Sequence, residues 1–182
     1  MTNNEIKTVL LNSSKEEIVR LLLDLYSLSK SNKEYMRNSL TAVDQKSLLK
    51  KYIKIITDEF YPQKGDPKLR HSLIRNSIKE FTSLSKNKED IAILLLHYAE
   101  TGVKFTNDFG DMDEQYYDRI SFAYKQALSY IFKYKFEKKF REKCINILIN
   151  TNDIGWGFHD YMSDLFYAFY EEEFDSDFPG SI

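Results

Sequence analysis

Apolar residues recur every three to four positions through most of this chain, and no stretch alternates every second residue. Ile18, Leu21, Leu22, Leu25 and Tyr26 fall on one face of a helix; Leu48, Leu49, Tyr52, Ile53, Ile56 and Phe60 repeat the pattern. Such spacing matches the 3.6-residue helical period, whereas a half-buried strand needs a period of two. From Ile91 to Tyr98 the chain is apolar nearly all round apart from His97, which predicts a central, buried helix. No run of alternating β-branched residues sits between turns, and no fixed-period repeat stands out. The expectation is an all-α protein, either an antiparallel multi-helix bundle or a short helical superhelix.

Local signals place the breaks. Ser14 and Glu17 form a capping box. A short helix is expected over Lys33–Leu40, and Asp44 is read as the cap of a helix that reaches Phe60. Pro62 ends it, and in Gly65-Asp66-Pro67 the aspartate is read as N-cap with Pro67 in the first turn of a helix reaching Leu84. Asn87 or Lys88 starts the next helix. Further helices are expected over Glu114–Lys133, Glu137–Asn150 and Phe158–Glu172.

At 182 residues the chain suits one domain, read as residues 1–173, with an acidic C-terminal tail over 174–182. The single cysteine, Cys144, excludes an intrachain disulfide. No signal peptide is evident, and the longest apolar run, Ile91–Leu96, is far too short to span a bilayer. A soluble, cytoplasmic protein without membrane association is therefore expected. Net charge is −2, but no Lys or Arg follows Lys143. Eight of the 28 acids lie beyond it, so residues 1–143 carry 26 bases against 20 acids. An acidic tail of this kind faces water, a basic partner, or the protein's own basic surface.

Two groups of residues stand out as candidate sites. The first is basic: Lys64, Lys68, Arg70, Arg75 and Lys79, read as anion or phosphate ligands. Helical projection from Pro67 puts Arg70 among Leu69, Leu73, Ile74, Ile78, Phe81 and Leu84, on the buried face, where a guanidinium needs a partner. Asp58 or Glu59 is the nearest carboxylate in sequence; a bound phosphate near the helix N-terminus is the alternative. Lys68, Arg75 and Lys79 fall on the opposite face, where three cations suit phosphates or simply solvent. The second group is aromatic and acidic: Trp156, Tyr167, Tyr170, Glu171, Glu172 and Glu173, read as a protein-binding surface. Trp156 between Gly155 and Gly157 is expected to anchor a turn on the core. One helix face cannot bury all of Phe166, Tyr167, Phe169 and Tyr170.

His71, His97 and His159 are scattered without metal-ligand spacing, so no metal and no cofactor is expected. His97 and Cys144 read as packing residues. No nucleotide loop, nucleophile elbow or Cys-x-x-Cys occurs, and no catalytic residues are assigned.

Lys33-Glu34-Tyr35, Phe60-Tyr61-Pro62 followed by Gly65 and Pro67-Lys68-Leu69-Arg70, Ile78-Lys79-Glu80-Phe81 and Tyr116-Tyr117 carry a family resemblance. From about residue 5 to 170 the chain resembles a family of uncharacterised bacterial all-helical proteins, a domain of unknown function. The resemblance implies an all-helical fold and no established activity. The reading that follows is a non-enzymatic protein-interaction or adaptor module with an unidentified protein partner. The alternative is nucleic-acid or phosphate-ligand binding through residues 64–79; nucleic acid is the less favoured partner because the sequence pI is 6.0.

Overall fold

The computed structural model describes residues 1–40 and 45–174, without the side chains of 38–40 and 171–174. The expected cap Asp44 and the tail from residue 175 lie outside the described residues, as do the side chains of Glu171, Glu172 and Glu173. Every regular element among the described residues is an α-helix. They fall into two compact units, 1–44 and 45–182.

The first unit holds α1 (Asn3–Asn12), α2 (Lys15–Leu28) and α3 (Lys30–Leu40). Thr2 and Ser14 each close a capping box, with Glu5 and Glu17 returning the bond. The Asn32 side chain donates to the Leu25 carbonyl across the turn between α2 and α3. Neither α1 nor α2 has a buried residue.

The second unit holds α4 (Gln45–Phe60), α5 (His71–Leu84), α6 (Lys88–Phe109), α7 (Glu114–Lys133), α8 (Glu137–Ile149) and α9 (Phe158–Phe174). Consecutive helices are antiparallel. Tyr52 meets Phe81 and Phe60 meets His71 across α4 and α5. Tyr124 donates to the Cys144 carbonyl across α7 and α8, and Tyr170 to the Glu137 carbonyl across α8 and α9. Alternate helices are parallel: Thr57 bonds His97 while Tyr61 bonds Asp108, and Glu100 pairs Lys143 while Asn107 bonds the Asn150 carbonyl. The unit is thus three helical hairpins in two layers, α4, α6 and α8 in one, and α5, α7 and α9 in the other.

The core explains this order. α6 has buried residues from Ile91 to Thr106, as its nearly continuous apolar surface predicts. Gly102 lets α7 approach it, because a Cβ there would lie 2.2 Å from Cδ1 of Ile120. The Tyr116 hydroxyl donates to the Gly102 carbonyl at 2.8 Å in the same contact. Phe60 is fully buried and packs edge-on or tilted against His71, Tyr98, Phe105 and Tyr116, with centroids 5.7–6.5 Å away. Cys144 and Phe140 are buried as expected, and His97 is satisfied by the Thr57 hydroxyl at 2.8 Å.

The segment before α5 departs from expectation. The helix starts at His71, with Arg70 rather than Asp66 as N-cap, and Pro67 lies outside it. The cause is tertiary. The Glu59 carbonyl accepts the N–H groups of both Lys68 and Leu69 at 3.1 Å, and Leu69 takes a positive φ of 47°. Two backbone bonds to the end of α4 hold residues 67–69 out of the helix, overriding the local Asp-Pro signal.

Candidate anion-binding groove

Arg70 is where the helix shift matters most. Its side chain is not on the buried face: it is 52% exposed, while its partner Glu59 is 5% exposed. The Glu59 carboxylate accepts from Arg70 Nε at 3.0 Å, Nη2 at 2.6 Å and the backbone N–H at 2.9 Å. The buried charge is the carboxylate, and the arginine caps it from outside. That fork holds the Glu59 carboxyl below the usual carboxylate range.

The basic residues separate. Lys64, Lys68 and Arg70 lie in the exposed connection before α5. Arg75 and Lys79 instead line a groove of about 710 Å³. His71, Ser72, Ile78 and Thr82 of α5 share that wall; Arg119, Phe122, Ala123, Gln126 and Tyr130 of α7 form the other. Leu95 and Tyr98 of α6 form the floor. The α5 residues follow at i, i+1, i+4, i+7, i+8 and i+11, and those of α7 at i, i+3, i+4, i+7 and i+11, so each set is one helical face. The groove exists because α5 and α7 both pack on α6 and stand apart above it.

Its electrostatics are one-sided. Arg75, Lys79 and Arg119 line it, and among the described residues no Asp or Glu does. Arg119 donates to its neighbour Gln115, at 3.1 Å, a neutral acceptor. At one end His71 Nδ1 and the Tyr98 hydroxyl share a hydrogen bond of 2.9 Å. Burial, with the Arg119 charge adding to it, holds His71 below the ordinary imidazole value, so at neutral pH the ring is uncharged. Burial pushes the Tyr98 phenol up to about 12. Phe122, 59% exposed, offers an aromatic face at the rim. Cations above an apolar floor can hold an anion attached to an apolar or aromatic body.

Arg119, Phe122 and the His71–Tyr98 pair escape a reading by charge runs, because each wall is dilute in charge. The signal in α7 is an exposed arginine and an exposed phenylalanine three residues apart on a helix whose opposite face is mostly apolar and aromatic.

The aromatic–acidic group also separates. Trp156 does not anchor its turn: it is 71% exposed, with a positive φ of 62°. Tyr167 is 49% exposed, whereas Tyr170 is 2% exposed, stacked on Phe166 with centroids 4.6 Å apart. As expected, α9 leaves part of its aromatic set at the surface. Among the described residues no three His, Cys, Asp or Glu side chains gather as a metal site, and no helix is long and apolar enough to cross a membrane.

The profile of one family, Family of unknown function (DUF6155), matches residues 1–170. The chain belongs to that family. No curated protein and no solved structure matches it. Membership extends over both units and brings no activity with it, so the functional reading rests on the groove.

Proposed function

We propose that the 45–182 unit binds a small organic anion in the groove between α5 and α7. The supporting observation is that Arg75, Lys79 and Arg119 line one groove with the apolar side chains of Ile78, Leu95 and Ala123, and that among the described residues no carboxylate joins them. The volume of about 710 Å³ falls within the range of small-ligand sites. Phosphate or carboxylate oxygens would sit at the cations, two of them guanidinium forks suited to two-point contacts. An aromatic or aliphatic body would cover the floor and meet Phe122. Extended nucleic acid is a poorer fit, because Lys64 and Lys68 lie apart from these three cations.

The test compares 1-naphthyl phosphate, inorganic phosphate and 1-naphthol by calorimetry. The naphthyl phosphate should bind at least ten times tighter than either fragment, and R75Q/K79Q/R119Q should weaken it by at least tenfold. Equal affinity for the naphthol would mean that the cations play no part.

A second reading has its own support. Trp156, Tyr161 and Tyr167 leave large exposed aromatic area on α9 and the turn before it, which suits a protein partner of a cytoplasmic adaptor. Trp156→Ala with Tyr167→Ala should then abolish capture of a partner that the groove variant still captures.

A further inference from the structure

The register of its two walls gives the groove a fixed order of chemistry. α5 and α7 both run antiparallel to α6 and are therefore parallel to each other. The rings of His71 and Tyr116, with centroids 5.6 Å apart, put the starts of both walls at one level. From that level the helical rise places Arg119 at about 4.5 Å and Arg75 at about 6 Å, on opposite walls. Phe122 of α7 follows at about 9 Å, Ile78 and Ala123 at about 10.5 Å, and Gln126 at about 15 Å. Lys79 starts at about 12 Å on α5, and long helical side chains lean toward the N-terminus, which here is the direction of Arg75. Among the described residues no carboxylate forms an ion pair with Arg75, Lys79 or Arg119. The sequence of groups along the groove is thus two guanidiniums, an aromatic face with an apolar belt, then an amide.

We propose that the ligand of the groove is a nucleoside 5′-monophosphate, with its phosphate between Arg75 and Arg119, its base against Phe122 and the edge of the base at Gln126. This deepens the groove reading above and rests on it. Two guanidiniums at one level on opposite walls suit a phosphate dianion, whose oxygens accept from both forks. A ribose spans the few ångströms from there to the level of Phe122. The Phe122 ring is 59% exposed, so it offers a free face on which a base stacks. Ile78 and Ala123 give the apolar contact beside it. Gln126 selects the base. Its amide both donates and accepts, which matches the amino group and ring nitrogen that adenine presents side by side. The Watson–Crick edge of guanine presents adjacent donors and would need a carboxylate, which no described residue supplies to the lining. Adenine is the base that fits.

The experiment is calorimetry on the full chain with adenosine 5′-monophosphate (AMP), uridine 5′-monophosphate (UMP), ribose 5-phosphate and 1-naphthyl phosphate. AMP should bind roughly tenfold tighter than ribose 5-phosphate, the scale of one base stacked on an aromatic side chain. It should bind roughly fivefold tighter than UMP, the scale of one matched base edge. Phe122 and Gln126 are exposed, so their replacement leaves the core intact. In F122A the advantage of AMP over ribose 5-phosphate should shrink, and in Q126A the ratio of AMP to 1-naphthyl phosphate affinity should fall roughly fivefold. AMP no tighter than ribose 5-phosphate, with 1-naphthyl phosphate still bound through Arg75 and Arg119, overturns the nucleotide and leaves the groove reading standing. Equal affinity for AMP and UMP, or a ratio that Q126A does not move, overturns the assignment of adenine to Gln126. Binding of neither AMP nor 1-naphthyl phosphate overturns both readings.

Discussion

A carboxylate buried at the end of α4 must find donors, and Glu59 finds three on Arg70 alone. Replacing it by Gln keeps the shape but removes the charge that the fork requires. Glu59→Gln should lower stability by about 1–3 kcal/mol in urea denaturation. The sign of the pH effect follows from the lowered carboxyl. The stability it brings is present above the unfolded value near ~4.3 and is lost as pH falls through the folded one, so the acid limb of the pH–stability curve should flatten in the variant. His71 and His97 act in a higher window. Burial holds both below the ordinary imidazole value. As pH falls below about 6.5 the unfolded chain takes up protons that the folded one does not, so stability drops until the folded rings also titrate. Proton NMR should show both rings titrating below ~6.5; normal values would mean that they are not shielded from water. The Glu59 fork also shows where residue-level reading runs short. Sequence places a carboxylate near Arg70, but which of the two is buried depends on residues 67–69 bonding the Glu59 carbonyl, a contact that no periodicity encodes.

Among elements, α6 carries the groove floor, and Gly102 lets α7 approach it closely. Gly102→Ala would drive a methyl into Ile120, within 2.2 Å of Cδ1 and 2.7 Å of Cγ1. The expected loss is about 1–3 kcal/mol, the usual scale of core overpacking. Adding Ile120→Val removes the nearest atom and should restore part of that loss in a double-mutant cycle; strict additivity would place the clash elsewhere. Helix boundaries were largely legible here. α7 spans Glu114–Lys133, as expected, with Asp113 as its N-cap, and α8 ends at Ile149, one residue from expectation. The start of α5 was not legible, for the tertiary reason above. Nor was the groove: each wall is an ordinary half-polar helix face, and only the separation of α5 from α7 over α6 makes a site of them.

For the whole 45–182 unit, two layers of three helices leave the α5–α7 gap open, while α9 packs closely on α7. That asymmetry, more than any single motif, gives the unit a concave basic surface. All-α architecture is written in the 3.6-residue period, but layer order depends on which long-range contacts form, such as Phe60 with Phe105 and Tyr124 with Cys144. Charge screening offers a check at this scale. Anion affinity should fall as salt rises from 50 to 500 mM and change little with salt in R75Q/K79Q/R119Q, since exposed charges are strongly screened over that range. The most direct measurement is an amide chemical-shift map of the full chain titrated with 1-naphthyl phosphate. Shifts clustered at residues 71–82 and 119–130, and lost in the triple variant, are what the groove predicts. Shifts centred on Lys64, Lys68 and Arg70, or unchanged by the three substitutions, would contradict it.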